Sequence, residues 1–543
     1  MIATPSRSLF AALVFASCIL SPAAAKAPPW VPSEGVGSVH MPISCTAVQK
    51  EFDRGLALLY SFWYDRAVAV FDDVIATDPQ CRIAYWGAAM TYNHPLWAPP
   101  TADDVKHALD YVRRGRTANE YGEREAGYFS AVATLFGDGN PETKDARDTQ
   151  YMNQMAQLYS RYPDDDTALF YALSIEGSPG YTRDASKIER AGALAQAVHR
   201  NKPQHPGALH YIIHAYDEPG YEARALDAAR AYAASAPSIP HALHMPSHTF
   251  LALGLWDESN ATNARAWAAS EQSVKDAGQH AYDRDFHTFL FYEYGELQAG
   301  HYAKARQLRD VALDEYREIV RGYRTMPKEQ ADDTFDAGDV ALTIAACAYE
   351  TGDYSAVNAI TSDGLDGVWE ASHLEVEALA ALAAHDASKT SATAAALQKF
   401  VSANESQYSP NGKRYVSIAL EEVDGLDAIA SGNVDNGLAF LKRAADDESH
   451  LSAVFQPALV PPAHELYATQ LLKNRRYAEA AANFRIALAL TPNRPKALFG
   501  LALASQQLHD NATASASMAK FNQVWKTADR SAAAALSDAN EKL

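Results

Sequence analysis

The chain has 543 residues, of which 48% are hydrophobic and 21% charged, with 26 Pro, a composition that excludes a collagenous or wholly disordered protein. Its 47 Lys and Arg stand against 67 Asp and Glu, a net charge of -20, and no basic cluster is placed to neutralise a run of phosphates. Nucleic acid is therefore not an expected partner. In chain order the first element is a targeting segment. Arg7, the apolar stretch Leu9 to Leu20 and the small residues Ser21-Pro22-Ala23-Ala24-Ala25 form the three regions of a secretory signal peptide over 1–25. Cleavage is expected after Ala25. A lipoprotein signal at Cys18 is the less favoured reading, because Phe15 stands where a lipobox prefers Leu and apolar residues continue past the cysteine. No later stretch approaches the roughly 20 apolar residues of a membrane-spanning helix, so the mature chain is expected in the periplasm or outside the cell.

The remainder reads as helix pairs. In the first, Gly55, Tyr64, Ala67, Phe71 and Pro79 mark an apolar helix, a turn and a second helix. Cys45 and Cys81 flank this hairpin, and an exported location permits disulfides, so a Cys45–Cys81 staple is expected, with two buried thiols as the alternative. Cys347, in the apolar run AACAY, reads as core packing. Near the other end Ala468, Tyr477, Ala480, Phe484, Ala487 and Pro492 stand at the same offsets as the marks of the first pair. Weaker copies fall at roughly 82 to 115, 206 to 239, 240 to 273, 286 to 319, 338 to 371, 418 to 451 and 495 to 528, with registers set by turns such as GLWDES, AGHYAKA, TGDYSAV and SGNVDNG. Strand signals are nearly absent, and the Ala-rich tracts around Ala378 to Ala396 favour helix. Breaks at Lys26 to Pro42, Asn93 to Pro100, Gly137 to Glu142, Tyr323 to Asp336 and Leu459 to Pro462 read as inter-helix loops.

This pattern resembles the 34-residue tetratricopeptide (TPR) repeat. Together with FDRGLALLYSFWYDRA, AYWGAAM, HPLWAPP, HYIIHAYDEP and HALHMPSH it makes the chain similar to exported bacterial TPR proteins over about residues 45 to 500. The resemblance implies an all-α, TPR-like superhelical solenoid of antiparallel helix pairs. It divides the chain into the signal peptide 1–25, a degenerate solenoid 26–462 and a C-terminal TPR module 463–543, packed on or hinged to the rest. It also implies a concave groove that binds a peptide or protein, and by itself implies no catalysis.

Histidine is unevenly spread. Nine of the 18 lie between His205 and His301, His199 aside, where uniform spacing would put about three. In HYIIHAYDEP, His210, His214 and Asp217 share one helical stripe, and in PHALHMPSHTF so do His241, His244 and His248, although Pro246 interrupts the backbone bonding there. Such spacings converge imidazoles on a metal, and imidazole suits zinc, iron or copper. In the repeat register His210 and His214 take the fifth and ninth places of one repeat. His241, His244 and His248 take the second, fifth and ninth of the next, and His287 the second of a third. The TPR resemblance implies that these places line the groove. The expected ligand pool is thus His210, His214, His241, His244, His248 and His287, with Asp217 and Glu218 as ligands, as groups that orient ligands, or as a general base.

His94, beside a Pro-stiffened loop, and Glu465, at a fifth place, are weaker candidates. There is no Gly-rich phosphate loop, G-x-S-x-G elbow, HExxH or C-x-x-C, which disfavours nucleotide, serine-hydrolase and zincin chemistry. Two functions remain: a metal-bearing scaffold, with metal-assisted hydrolysis or oxidation open to it, and a metal-free scaffold binding a peptide, an envelope protein or a small molecule. A third reading treats the histidines as internal packing.

Overall fold

The structure, a computed structural model, describes residues 31–96, 99–119, 122–139, 142–181, 184–279, 284–323, 336–360, 367–404, 410–451, 461–532, 534 and 536. The expected signal segment with Cys18 and Ala25, most of the Tyr323 to Asp336 break, and His280 lie outside them. Among the described residues there is no strand, and no helix is long and apolar enough to cross a membrane.

The chain is an all-α, TPR-like solenoid of antiparallel helix pairs, each helix packed on its neighbours in sequence. The pairs begin with Gln49–Tyr60 and Tyr64–Thr77 and end with Pro495–Gln507 and Asn511–Val524. Small residues decide how closely the helices approach. A Cβ on Gly55 would meet the Phe71 ring at 2.9 Å, and Phe71 is fully buried, which stabilises the hairpin by roughly 2 to 3 kcal/mol.

One backbone device builds most of the turns. A residue with left-handed φ ends the first helix, and the next N–H bonds back five residues: Trp63 to Leu58, Leu255 to Phe250, His301 to Glu296, Asp386 to Ala381, Asn433 to Ala428, Arg476 to Leu471 and Asp510 to Ser505. Glycine fills the left-handed place at 254, 300 and 432. Phe62, His385, Arg475 and His509 fill it elsewhere. The Ala-rich tract is accordingly two helices, Gly367–Ala383 and Ala387–Asn404, folded back at His385.

The helix pairs in the expected windows are present, with one departure. After Asp336–Thr351 the second helix is replaced by a 3-10 segment, Tyr354–Ala359. Three further pairs lacked the aromatic, Ala and Pro marks: Glu123–Leu135 with Lys144–Arg161, Asp165–Glu176 with Ala185–Asn201, and the pair folded at His385. A disulfide joins Cys45 and Cys81, and Cys347 is a buried free thiol in the core.

The C-terminal repeats are docked on the middle of the solenoid. A continuous core runs from Leu290 to Leu536, across position 463. The Trp256 indole donates to the Asn493 carbonyl at 3.2 Å, Asn493 donates back to the Gly254 carbonyl at 3.0 Å, and the Trp525 indole donates to the Gln298 carbonyl at 3.0 Å. Gly254 is obligatory here, because its φ is +64° and a Cβ would lie 2.0 Å from the Pro492 carbonyl oxygen.

Candidate metal centre

Four short elements carry the histidines. Pro206–Ala215 starts at a proline, and the His205 ring caps it by accepting from the Ala208 N–H; this puts His210 mid-helix and His214 in the last turn. Pro240 opens the five-residue helix that ends at His244, and Pro246 opens Pro246–Ala252. Met245, between them, keeps right-handed helical angles, and its N–H still reaches the His241 carbonyl at 2.9 Å, so the proline bends the stripe without ending it. Asp285 caps Phe286–Gln298 through the Thr288 N–H and sets His287 in that helix's first turn.

These elements sort the six histidines into two triads. His210, His214 and His241 form one, and His244, His248 and His287 the other; within each, one nitrogen per ring lies within 4.8 Å of the others. Nε2 of His210 is 3.0 Å from Nε2 of His214 and 3.1 Å from Nε2 of His241, while Nε2 of His244 is 3.1 Å from Nε2 of His248. The construction repeats. Each triad takes an i, i+4 pair from one helix and a third histidine from a later one, and the two pairs are 34 residues apart, one TPR period. His241 and His244, three residues apart on the short helix before Pro246, serve different triads: His241 faces the first pair, while His244 and His248, on either side of the bend, make the second. The triads adjoin, with the His241 and His244 rings 6.3 Å apart.

Three of the six outer nitrogens are bonded to acceptors, which fixes the tautomers of those rings. His210 Nδ1–H donates to the Tyr60 carbonyl at 2.7 Å, His244 Nδ1–H to Asn263 Oδ1 at 2.9 Å and His248 Nδ1–H to Asp217 Oδ2 at 2.8 Å. Asp339 lies 3.9 Å from His287 Nδ1. Each anchored ring therefore turns an Nε2 lone pair inward. Burial pushes His210 down to about 3, and burial followed by the charge of neighbouring histidines holds His214, His241 and His244 well below the usual imidazole range. His287 is lowered in the same way, to about 4, although 46% of its side chain is exposed. Neutral imidazoles with inward lone pairs are the protonation state a metal needs.

A phenylalanine touches every ring of each triad. Phe62 lies 4.4, 5.5 and 5.9 Å from the rings of His210, His214 and His241, and Phe291 lies 4.9, 4.7 and 4.7 Å from those of His244, His248 and His287. Phe62 does so from a φ of +54°, where a bulky side chain is disfavoured and three sister turns carry glycine.

The other expected residues lie outside the ligand sets. Asp217 is not brought into a ligand position, since its carboxylate holds the far side of the His248 ring. Glu218 belongs to neither triad; it is buried and pushed up to about 8 by burial and by the nearby Asp217 and Glu222 carboxylates. The His94 ring packs on Tyr64 at 4.5 Å, and its Nε2 is 3.2 Å from the Thr91 carbonyl. Glu465 is paired with Arg494 at 2.7 Å in the C-terminal core. Of the remaining histidines in the dense region, His205 is a helix cap and His301 meets Glu296 and, at 3.1 Å, Thr527 of the docked C-terminal repeats. Tyr60, Asn263, Phe62 and Phe291 were not singled out by sequence. The left-handed place of Phe62 in an otherwise Gly-rich set of turns was the one signal available.

No known family matches the sequence, and no curated protein matches it. Solved structures with some likeness include a human IFIT1 dimer with m7Gppp-AAAA, 11% identical over 87% of this chain and 94% of that one, TM-score 0.34. Yeast Tom70 is 10% identical over 85% and 89%, TM-score 0.32, and the APC/C hetero-tetramer Cut9-Hcn1 is 10% identical over 90% of each chain, TM-score 0.30. Likenesses this distant carry no argument about function.

Proposed function

We propose that this is an exported, TPR-like scaffold that holds two transition-metal ions, drawn from zinc, iron and copper, one in each histidine triad. A single contact carries the reading. His244 and His248 both donate their Nδ1 protons outward, to Asn263 and Asp217, yet their Nε2 atoms face each other at 3.1 Å. Two lone pairs at that distance repel unless a cation lies between them. A single proton shared by that pair would serve two rings, whereas the triad brings a third, His287, within 4.8 Å of both. A metal ion bound at about 2.0 to 2.1 Å from each imidazole nitrogen satisfies both.

Three protein ligands leave each ion an open position, which is the arrangement of catalytic rather than purely structural sites and suits metal-assisted hydrolysis or oxidation of a small molecule or peptide in the groove. Export rests on the signal-like N-terminus.

Elemental analysis of the untagged mature protein, prepared without chelator, tests the reading. Two ions per chain are expected, falling to trace in the His214→Ala plus His244→Ala double variant and unchanged in His94→Ala. Full metal in the double variant would remove the ligand assignment. A wild-type protein that takes up no added ion would return the chain to a metal-free, peptide-binding scaffold.

A further inference from the structure

Resting on the two-ion reading, we propose that both ions are copper and that the ligand they share is dioxygen, bound as peroxide between the triads.

The donor set argues for copper. All six donors are neutral imidazole nitrogens, and the carboxylates that reach the triads, Asp217 and Asp339, meet the outer nitrogens of His248 and His287 and not the inward ones. Hard ions such as Mn, and the iron pairs of carboxylate-rich bundles, take oxygen donors that are missing from both triads. Charge points the same way. Two divalent ions would bring four positive charges against the carboxylates that flank the triads, Asp217, Asp285 and Asp339, whereas two Cu(I) bring two.

The arrangement of the pair argues for dioxygen. The triads adjoin through His241 and His244, so two one-electron donors sit side by side. Dioxygen accepts one electron from each. Two Cu(I) become two Cu(II), the O–O bond order falls from two to one, and the peroxide dianion offers an oxygen to each copper at its open position. No proton and no further reductant enter the step. The product also supplies the two negative charges that two Cu(II) ions then require. Phe62 and Phe291, each against all three rings of its triad, give the pair apolar flanks that suit a small uncharged molecule on entry.

The test uses the full mature chain, freed of metal, loaded anaerobically with two equivalents of Cu(I) and then exposed to oxygenated buffer. The expected result is one dioxygen consumed per two copper ions, loss of the electron paramagnetic resonance signal that isolated Cu(II) would give, and release of one hydrogen peroxide per pair on acidification. His287→Gln, which leaves the first triad whole, should hold about one copper, give an isolated Cu(II) signal in air and lose the stoichiometric uptake. Two zinc ions bound with no retention of Cu(I), or two coppers that oxidise to isolated Cu(II) centres, would overturn this proposal while leaving the two-ion reading intact. Failure to bind any ion would overturn both.

Discussion

The histidine seam and the C-terminal repeats place polar groups at matching positions and satisfy them in opposite ways. His210 and His241 are 31 residues apart, as are Glu465 and Lys496, and His241 and Lys496 each follow the proline that opens a helix. In the C-terminal core the charges close among themselves. Arg494 donates to Glu465 at 2.7 and 2.9 Å, to Tyr294 at 2.7 Å and to Glu350, and the partly buried Lys496 lies 3.6 Å from Glu350, so two buried carboxylates meet two cations. In the seam no side chain brings a positive charge, and nitrogen lone pairs face one another. The comparison teaches that this buried register calls for a cation. The C-terminal repeats encode theirs as Arg494, whereas on the proposed two-ion reading the seam takes its cations from solution.

The largest effect that could break the comparison lies in the C-terminal core. Arg494→Leu leaves Glu350 and Glu465 buried beside a single lysine and should cost about 3 to 5 kcal/mol in urea unfolding. His210→Leu, measured on metal-free protein, should cost clearly less, because it removes a neutral ring with an unfavourable contact. Equal losses would mean that the seam is as self-sufficient as the C-terminal core.

A smaller effect sharpens the difference within the seam. Asp217→Asn keeps the bond to His248 in shape but removes the charge that makes the ring a better ligand. The second triad should lose roughly 10- to 100-fold in metal affinity, read by chelator competition, with the first triad unaffected. Loss at both triads would show that the two ions bind as one unit.

The smallest effect per group is the acid response. Histidines held neutral in the fold are protonated only in the unfolded chain over a window below 6.5, so the unfolded state binds more protons there and stability falls as pH falls. The slope for metal-free protein should be up to about 1.4 kcal/mol per pH unit for each such histidine, beginning near pH 6.5, and bound metal should extend it to lower pH. Glu350 behaves differently. Burial pushes it up, but Arg494 and Lys496 outweigh burial and hold it below its ordinary 4.5. Its contribution is present above that pH and lost only as pH falls through the lower, folded-state value. Buried carboxyls pushed up in the fold, Glu218, Glu375 and Glu448 among them, act in the opposite sense between pH 7 and 5, so the seam's share is read as the difference in slope between wild type and the His214→Ala plus His244→Ala variant.

Much of the architecture was legible in the sequence because TPR hairpins are local. The marks at Tyr64, Ala67 and Phe71 are short-range packing requirements, and so are those at Tyr477, Ala480 and Phe484. The pairs at 123–161 and 165–201 escaped because they form without those marks, from capping by Thr143 and Asp164 and from burial against neighbours. In the site, the two i, i+4 pairs could be read directly, since helix geometry alone brings such residues together. The division into triads could not, because it depends on how His241 and His244, on one short helix, turn to different neighbours and on a third histidine arriving from another helix. Glu218 and Glu465 had suitable chemistry and spacing, but burial beside Asp217 and pairing with Arg494 gave them other partners.

By itself, then, the sequence determined an array of helix pairs and two histidine pairs one repeat apart, because periodicity and short spacings act within a single hairpin. Only the tertiary structure decided which histidines form each triad and which nitrogen the anchored rings present. The ring of His210 is aimed by a backbone carbonyl 150 residues away, at Tyr60, and that of His248 by Asp217 on another segment, and such partners exist only once the repeats have stacked.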